Sequence, residues 1–362
     1  MIEVPSLYVY STTGYCGKSA ICLGLALKAR DEGCRVGYFK PIGSESSRNS
    51  RGERIDEDAQ LMKKALDLNL PLDVICPAVL GPKFLEENSR DNKGINESKI
   101  LQAYDKASRN MDLMILESPH ILGLGSSAGV DTIALAKKLK AHLVLVSLLE
   151  YDTYVDRIIW RKISTESRGA EFAGVILNAI PKTELERVKR FEIPVLENNG
   201  VKILGILPEN IELKAPSVRE ICEKIKCEVL TCSNKLDNLV EDFLVGAMAP
   251  EAALTYFRRS LRKAVITGGD RADIQLAALQ TDTSVLILTG NIYPDVRVLA
   301  RAEELHVPVL LVPFDTYTTI RSIAALTGRI KPTDTKKIEV AKKQVEDHVN
   351  WKEITKILNL KK

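Results

Sequence analysis

Apolar positions along the first two-thirds of the chain fall into short, nearly uninterrupted runs: Leu7–Tyr10, Arg35–Phe39, Leu113–Glu117, Leu143–Val146, Gly174–Leu177 and Ile203–Leu207. Each is short and rich in Val, Ile and Leu, which predicts strands buried on both faces. Between them, Lys18–Glu32, Asp56–Leu66, Glu97–Asn110, Asp131–Lys140 and Val155–Ser167 carry helical patterns. Strand and helix in alternation predict an α/β fold, a parallel sheet with helices on both faces. Ligands of such sheets bind beyond the carboxyl ends of the strands, so the residues following each run carry the interest.

The rhythm breaks near Leu213–Ser217, where a domain boundary is expected. Helical patterns follow over Val218–Val229 and Asp237–Tyr256, and the alternation restarts at Ala264. There the predicted strands are Ala264–Ile266, Val285–Leu288 and Val309–Val312, with helices at Ala272–Leu279, Asp295–Glu304 and Thr318–Leu326. Three segments result: 1–214, a smaller α/β unit over 215–330, and a charged helical tail over 331–362. The tail spaces apolar Ile338, Val345, Val349, Trp351 and Ile354, and can pack on the body or on a partner chain. Within the first segment, polar, turn-rich Gly43–Gly52 predicts a mobile loop over the site. Pro71–Asn96 has little periodicity and reads as an irregular excursion shaping a second pocket.

Composition narrows the function classes. With 362 residues, 45% hydrophobic and 27% charged, the chain has material for two cores of a soluble globular protein. A net charge of +3 is too small to argue for nucleic acid or a membrane surface. No apolar run has the length of a spanning helix and Met1–Pro5 lacks signal-peptide character, so a cytoplasmic location is expected. Seven cysteines, an odd number, argue against a secreted disulfide framework. Cys222, Cys227 and Cys232 lack a C-x-x-C pair and a nearby histidine, so free thiols rather than zinc ligands are expected.

The richest chemistry lies in Leu7 to Ala20, L-Y-V-Y-S-T-T-G-Y-C-G-K-S-A. A strand running into a small Gly-containing loop and then a helix suits a polyphosphate, because loop amides and a helix N-terminus point at the anion. Thr12, Thr13, Gly14, Tyr15, Cys16, Gly17, Lys18, Ser19 and Ala20 form this predicted loop. Lys18 reaches the outer phosphates and Ser19 supplies a hydroxyl to magnesium. Thr12 stands where the general pattern has its first glycine. Lys40-Pro41 closes the second strand, where a lysine can meet an anion. Asp58, in the acidic helix start Asp56–Asp58, is a candidate magnesium carboxylate; the alternative is a simple dipole complement. Glu117 ends an otherwise apolar strand at the ligand edge and is the second magnesium candidate. His120 is a lone loop histidine and is not expected to be a base. Asn178, Pro208 and Glu209 mark the last two strand ends, where an adenine edge can be read. The guanine signature N-K-x-D is absent after Leu177, which favours ATP.

Together these residues resemble the dethiobiotin synthetase-like branch of P-loop proteins, whose loop has the form G-T-x-T-x-V-G-K-T, with threonine at the position of Thr12. The resemblance implies a P-loop NTPase-type parallel sheet that binds ATP and Mg2+. Lys18 and Ser19 match the phosphate lysine and magnesium hydroxyl, Asp58 and Glu117 the magnesium carboxylates, and Lys40-Pro41 with Ser44 the substrate segment. Asn178 and Pro208 match the adenine side. Val265–Arg271, Leu288-Thr289-Gly290 and Asp315-Thr316 resemble a DRTGG domain, and the pairing is similar to the amino-terminal part of long phosphotransacetylases. In this domain Gly268–Arg271 reads either as an anion-binding turn or as a structural one with Arg271 paired to Asp273.

Two departures shape the expectation. Ser118-Pro119-His120 follows Glu117 where the synthetases have a glycine-rich G-x-G-G segment, so dethiobiotin synthesis is not expected. No acyltransferase segment follows Gly328, so phosphotransacetylase activity is not expected. The reading is a regulatory or weakly hydrolytic ATPase, with a homo-oligomer as its assembly. The alternative is an ATP-dependent ligase phosphorylating a carboxylate or carbamate before amine attack. In that case Lys18, Lys40 and Glu117 are the catalytic residues, with the acceptor near Lys40 and Ser44.

Overall fold

A computed structural model describes residues 4–48, 52–81, 83–86, 95–121, 123–323, 326 and 328–360. The chain divides into two compact units, Met1–Glu209 with Ile330–Lys362, and Asn210–Arg329.

The first unit is built on six strands: β1 (Ser6–Ser11), β2 (Val36–Phe39), β3 (Leu113–Glu117), β4 (His142–Leu148), β5 (Phe172–Ile180) and β6 (Ile203–Pro208). Their order is β6-β5-β4-β1-β3-β2 and every neighbouring pair is parallel. Leu7 to Tyr10, Leu113 to Leu116 and Leu143 to Val146 are fully buried, as strands covered on both faces must be. The chain builds outward to one side of β1 through β2 and β3, then crosses to the other side for β4 to β6. Strand direction of growth reverses at β1, and such a switch leaves a crevice at the carboxyl ends, where ligands bind. The loop after β1 opens into that crevice, and the helix α1 (Lys18–Asp31) follows it.

The tail belongs to this unit. Its helix Thr335–His348 packs across α1 at Gly24, where a Cβ would come within 2.4 Å of the Val345 side chain and 2.7 Å of the Ala341 carbonyl. It then joins the outer strand: Val349 bridges Gly205, and the Asn350 amide donates to the Leu204 carbonyl at 2.7 Å.

Where sequence predicts a loop over Gly43–Gly52, the described part is ordered into short strands. Ile42–Ser44 pairs with Ala78–Leu80, and Ser47–Arg48 pairs with Arg54–Ile55. Residues 49–51 of that loop lie outside the described residues. So do 82 and 87–94 of the Pro71–Asn96 excursion, which otherwise holds the helix Leu72–Ile75 and the strand Ala78–Leu80.

The second unit has five strands: β7 (Glu228–Thr231), β8 (Asp242–Val245), β9 (Lys263–Gly268), β10 (Thr283–Thr289) and β11 (Val309–Leu311). The order is β7-β11-β10-β9-β8, with only β7 antiparallel to its neighbour. Alternate residues face opposite layers. Val265, Leu286 and Leu288 meet Phe257, Ile274, Ala278 and Val298 on one face, while Ala264, Ile266, Val285 and Ile287 meet Ile221 and Ile323 on the other. β7 and β8 correct the sequence reading, which ran one helix into the start of β7, to Val229, and another through all of β8. Each is an edge strand whose residues are half-buried or exposed, so neither shows the continuous apolar run that marks a central strand. The helix Val218–Ile225 stops at Lys226 in a left-handed conformation, φ 51°. After β8, Pro250 starts the helix Pro250–Phe257. The turn at Lys226 also brings Cys222 and Cys227 together in a disulfide with Cα atoms 5.3 Å apart, so this pair is not the two free thiols that sequence predicts. Among the described residues no helix is long and apolar enough to cross a membrane.

Candidate nucleotide site

β1 delivers the chain at Ser11, and the Thr12 amide donates to the Val146 carbonyl at 3.2 Å, which ties the loop's start to β4. At its end, Gly17 takes φ 80°, and a Cβ there would lie 2.4 Å from the Asn178 side-chain nitrogen, so only glycine fits. Asn178 donates to the Cys16 carbonyl at 2.8 Å and so braces the loop from β5. Cys16 is buried and its thiol lies 3.1 Å from the Thr13 carbonyl, while Tyr15 at the loop's tip is 64% exposed. Lys18 is folded inward: its Nζ donates to Ser11 Oγ at 2.9 Å, and Ser11 Oγ donates to the Thr13 carbonyl at 2.6 Å.

Ser19, one residue into α1, donates to Glu117 Oε1 at 2.8 Å. The other oxygen of Glu117 accepts from the buried Tyr38 hydroxyl, also at 2.8 Å. Lys40 Nζ lies 3.9 Å from Glu117, 3.0 Å from Asp56 and 2.5 Å from Asp58. Lys40, Asp56 and Glu117 are buried, whereas the Asp58 side chain is 39% exposed and opens the cluster to solvent. Two lysines thus stand among three carboxylates beside the phosphate loop.

Burial dominates the electrostatics. It pushes the Glu117 carboxyl up to about 7; Lys40 and Lys18 oppose the rise and Asp58 adds to it. Burial also works against the charge on Lys40, but Asp58, Glu117 and Asp56 outweigh it and hold the ammonium well above the usual lysine value. For Asp58, partial burial is again outweighed, here by Lys40, Ser19 and Lys18, so its carboxyl sits below the usual range.

The structure therefore brings Lys18, Ser19, Lys40, Asp58 and Glu117 into one cluster and places Asn178 against its loop. Pro208 and Glu209 end β6, away from the cluster, with the Glu209 amide donating to the Ile180 carbonyl at 2.8 Å. Sequence reasoning missed Ser11, Tyr38 and the role of Asp56. Asp56 caps the helix Glu57–Ala65, holds Lys40, and accepts from the Ser44 amide at 2.9 Å. Its N-cap position was legible; its partner across the fold was not. Ser44 Oγ is 2.8 Å from His120 Nδ1, and the His120 ring centroid lies 6.4 Å from that of Tyr15.

Among the described residues no group of three or more His, Cys, Asp or Glu is placed to hold a metal by itself. Ser19 Oγ beside the Glu117 carboxylate is a pair of hard oxygens, the ligand type that magnesium takes when phosphate oxygens and water complete its shell. An open depression of about 910 Å³ at the ends of β4 and β5 is lined by Leu149–Thr153, Glu184 and Arg187, none of them from this cluster. Arg187 is already paired to Asp152 and Glu192.

A parallel sheet switching direction at β1, with a buried lysine and a half-buried serine at the following turn and a strand-end carboxylate on that serine, defines the P-loop class. The profile of the AAA domain family matches residues 5–217, and the chain belongs to that family, in its dethiobiotin synthetase-like P-loop form. The profile of the DRTGG domain matches residues 220–326. The phosphate acetyltransferase of Nitratidesulfovibrio vulgaris is 26% identical over 375 residues, covering 98% of this chain and 52% of that protein. This chain spans about half the length of such relatives. The ATP-dependent dethiobiotin synthetase of Bacillus thuringiensis is 25% identical over 206 residues, 56% of this chain and 82% of that one. Among solved structures, the cell division protein MinD of Aquifex aeolicus matches at 18% identity and TM-score 0.38, over 58% of this chain and 84% of its own. The CBS and DRTGG domains of the regulatory region of Clostridium perfringens pyrophosphatase, complexed with the activator diadenosine tetraphosphate, match at 18% identity and TM-score 0.26, over 41% and 72%.

Proposed function

We propose that the protein binds Mg-ATP at the end of β1 and acts as a regulatory or weakly hydrolytic ATPase module coupled to its DRTGG domain. The observation that carries this is the buried Lys18 at the turn, followed by Ser19 with the buried Glu117 carboxylate on its hydroxyl. A merely structural turn gains nothing from burying a lysine and a carboxylate there, since each costs desolvation. Lys18 swings from Ser11 to the outer phosphates. Ser19, Asp58 and Glu117 hold the magnesium, which when bound draws charge from the phosphates, and Asn178, Pro208 and Glu209 form the base side. The assembly is a homo-oligomer whose state responds to nucleotide.

Calorimetric titration of Mg-ATP into the wild type and Lys18→Ala tests the reading. Micromolar binding that is lost in the variant is expected; a wild type that shows no binding overturns it.

The second reading, an ATP-dependent ligase with Lys40 anchoring a carboxylate or carbamate acceptor, draws on the likeness to the dethiobiotin synthetase. Against it stand the Lys40 ammonium, engaged by Asp56 and Asp58, and Ser118-Pro119-His120 in place of a glycine-rich cradle. It requires ADP release that depends on a small-molecule acceptor.

A further inference from the structure

His120 follows Glu117 by three residues, and the chain between them turns back over the phosphate loop. The His120 carbonyl lies 3.5 Å from where a Gly14 Cβ would stand, so its backbone rests against the loop. Its ring approaches Tyr15 at the loop's tip and is fixed by Ser44 through the 2.8 Å contact to Nδ1. Ser44 is fixed in turn by Asp56, the carboxylate that also holds Lys40. A continuous chain, Lys40–Asp56–Ser44–His120, thus runs from the buried cluster to an exposed imidazole beside the phosphate loop. In the tautomer that carries its proton on Nδ1, that N–H donates to Ser44 Oγ, and Nε2 keeps its lone pair and can accept a proton.

We propose that His120, oriented by Ser44, accepts the proton of a water molecule attacking the terminal phosphate, so that water is the acceptor at this site. The inference rests on the nucleotide-binding reading above and says which reaction follows. The water oxygen forms a bond to the terminal phosphorus. The bond from that phosphorus to the bridging oxygen breaks, and its electron pair leaves with ADP. The proton passes to Nε2 and then to solvent. Partial burial, Lys18 and Lys40 favour the neutral imidazole, the form that can act as a base, and outweigh Asp56 and Asp58, which favour the charged form.

The test uses the full chain. Phosphate release and nucleotide affinity are measured for the wild type, His120→Gln, His120→Ala and Ser44→Ala, with thermal unfolding as the control on folding. Imidazole NMR is recorded with magnesium and a non-hydrolysable ATP analogue; the protein has four histidines, and the signal lost in His120→Gln identifies His120. Expected for both His120 variants are a kcat lower by about 100-fold and a Kd within about threefold of the wild type. The acid limb of the wild-type kcat profile, lying below the usual imidazole value, disappears with them. Ser44→Ala gives a smaller loss, and the His120 signal shifts when the analogue binds. Unchanged kcat in both His120 variants, a ring signal indifferent to the analogue, or a wild type that binds Mg-ATP without releasing phosphate overturns the proposal. A wild type that does not bind the analogue overturns the nucleotide reading as well, which separates the two failures.

Discussion

Glu117 is where burial and function conflict most directly. Its carboxyl has an ordinary value of 4.5 and is raised to about 7 by removal from water. Below pH 4.5 both folded and unfolded chains hold the proton and the group costs nothing. As pH rises from there to 7, the unfolded chain ionises first, so stability is lost progressively across that window, by about 3 kcal/mol in all. Glu117→Gln cannot ionise. Urea unfolding at pH 4.5 and 7.5 is therefore expected to show the stability of Glu117→Gln relative to wild type improving by about that amount at the higher pH. A difference independent of pH removes burial as the cause. The residue scale also shows where sequence stops being legible. Lys18, Ser19 and Glu117 are readable because strand, turn and helix fix their places within a few residues. Lys40 is legible as a strand-end lysine, but whether it faces a ligand or Asp56 and Asp58 depends on side chains 16 and 18 residues away. Ser44 and His120 are 76 residues apart, and nothing local to either announces the other.

At the level of elements, the tail helix and α1 show how tight a packing decision can be. Gly24 sits inside α1 at some cost in helix propensity, and the close approach of Val345 and Ala341 supplies the reason. Gly24→Ala improves propensity yet forces a Cβ into the tail, so a net loss of about 1–3 kcal/mol is expected from chemical denaturation. Val345→Ala in the same background should recover part of it, giving a coupling of about 1 kcal/mol in a double-mutant cycle. A stabilised Gly24→Ala shows instead that the tail leaves α1 in solution. The tail's apolar spacing at Val345, Val349 and Ile354 was plain in the sequence, but its target was not, since a stripe of apolar residues does not name the face that covers it. The six strands of the first sheet were legible for the opposite reason: burial on both faces writes itself as an unbroken apolar run. β7 and β8 carry no such run because their faces are half-buried or exposed, unlike those of β2, an edge strand that is buried throughout.

On the scale of the whole molecule, both ends of the chain belong to the nucleotide unit, while the DRTGG sequence lies between them. The chain leaves after β6 and returns as the helix that packs on α1, the helix that begins with Lys18 and Ser19. A nucleotide held by α1 therefore stabilises the tail directly, whatever happens in residues 210–329. Hydrogen exchange with and without Mg-ATP separates the regulatory reading from a simple binding one. At a ligand concentration about 100 times Kd, mass action adds about 2.7 kcal/mol to openings that release the nucleotide. Protection is accordingly expected to rise in α1 and in Thr335–His348 together. The regulatory reading demands more, namely slower exchange in β9 and β10 of the DRTGG unit as well, since coupling between sites is reciprocal and must appear as a free-energy difference in both. Slowing confined to α1 and the tail leaves a working nucleotide site with no message to its neighbour, and the coupled-module reading fails while the phosphate loop stands.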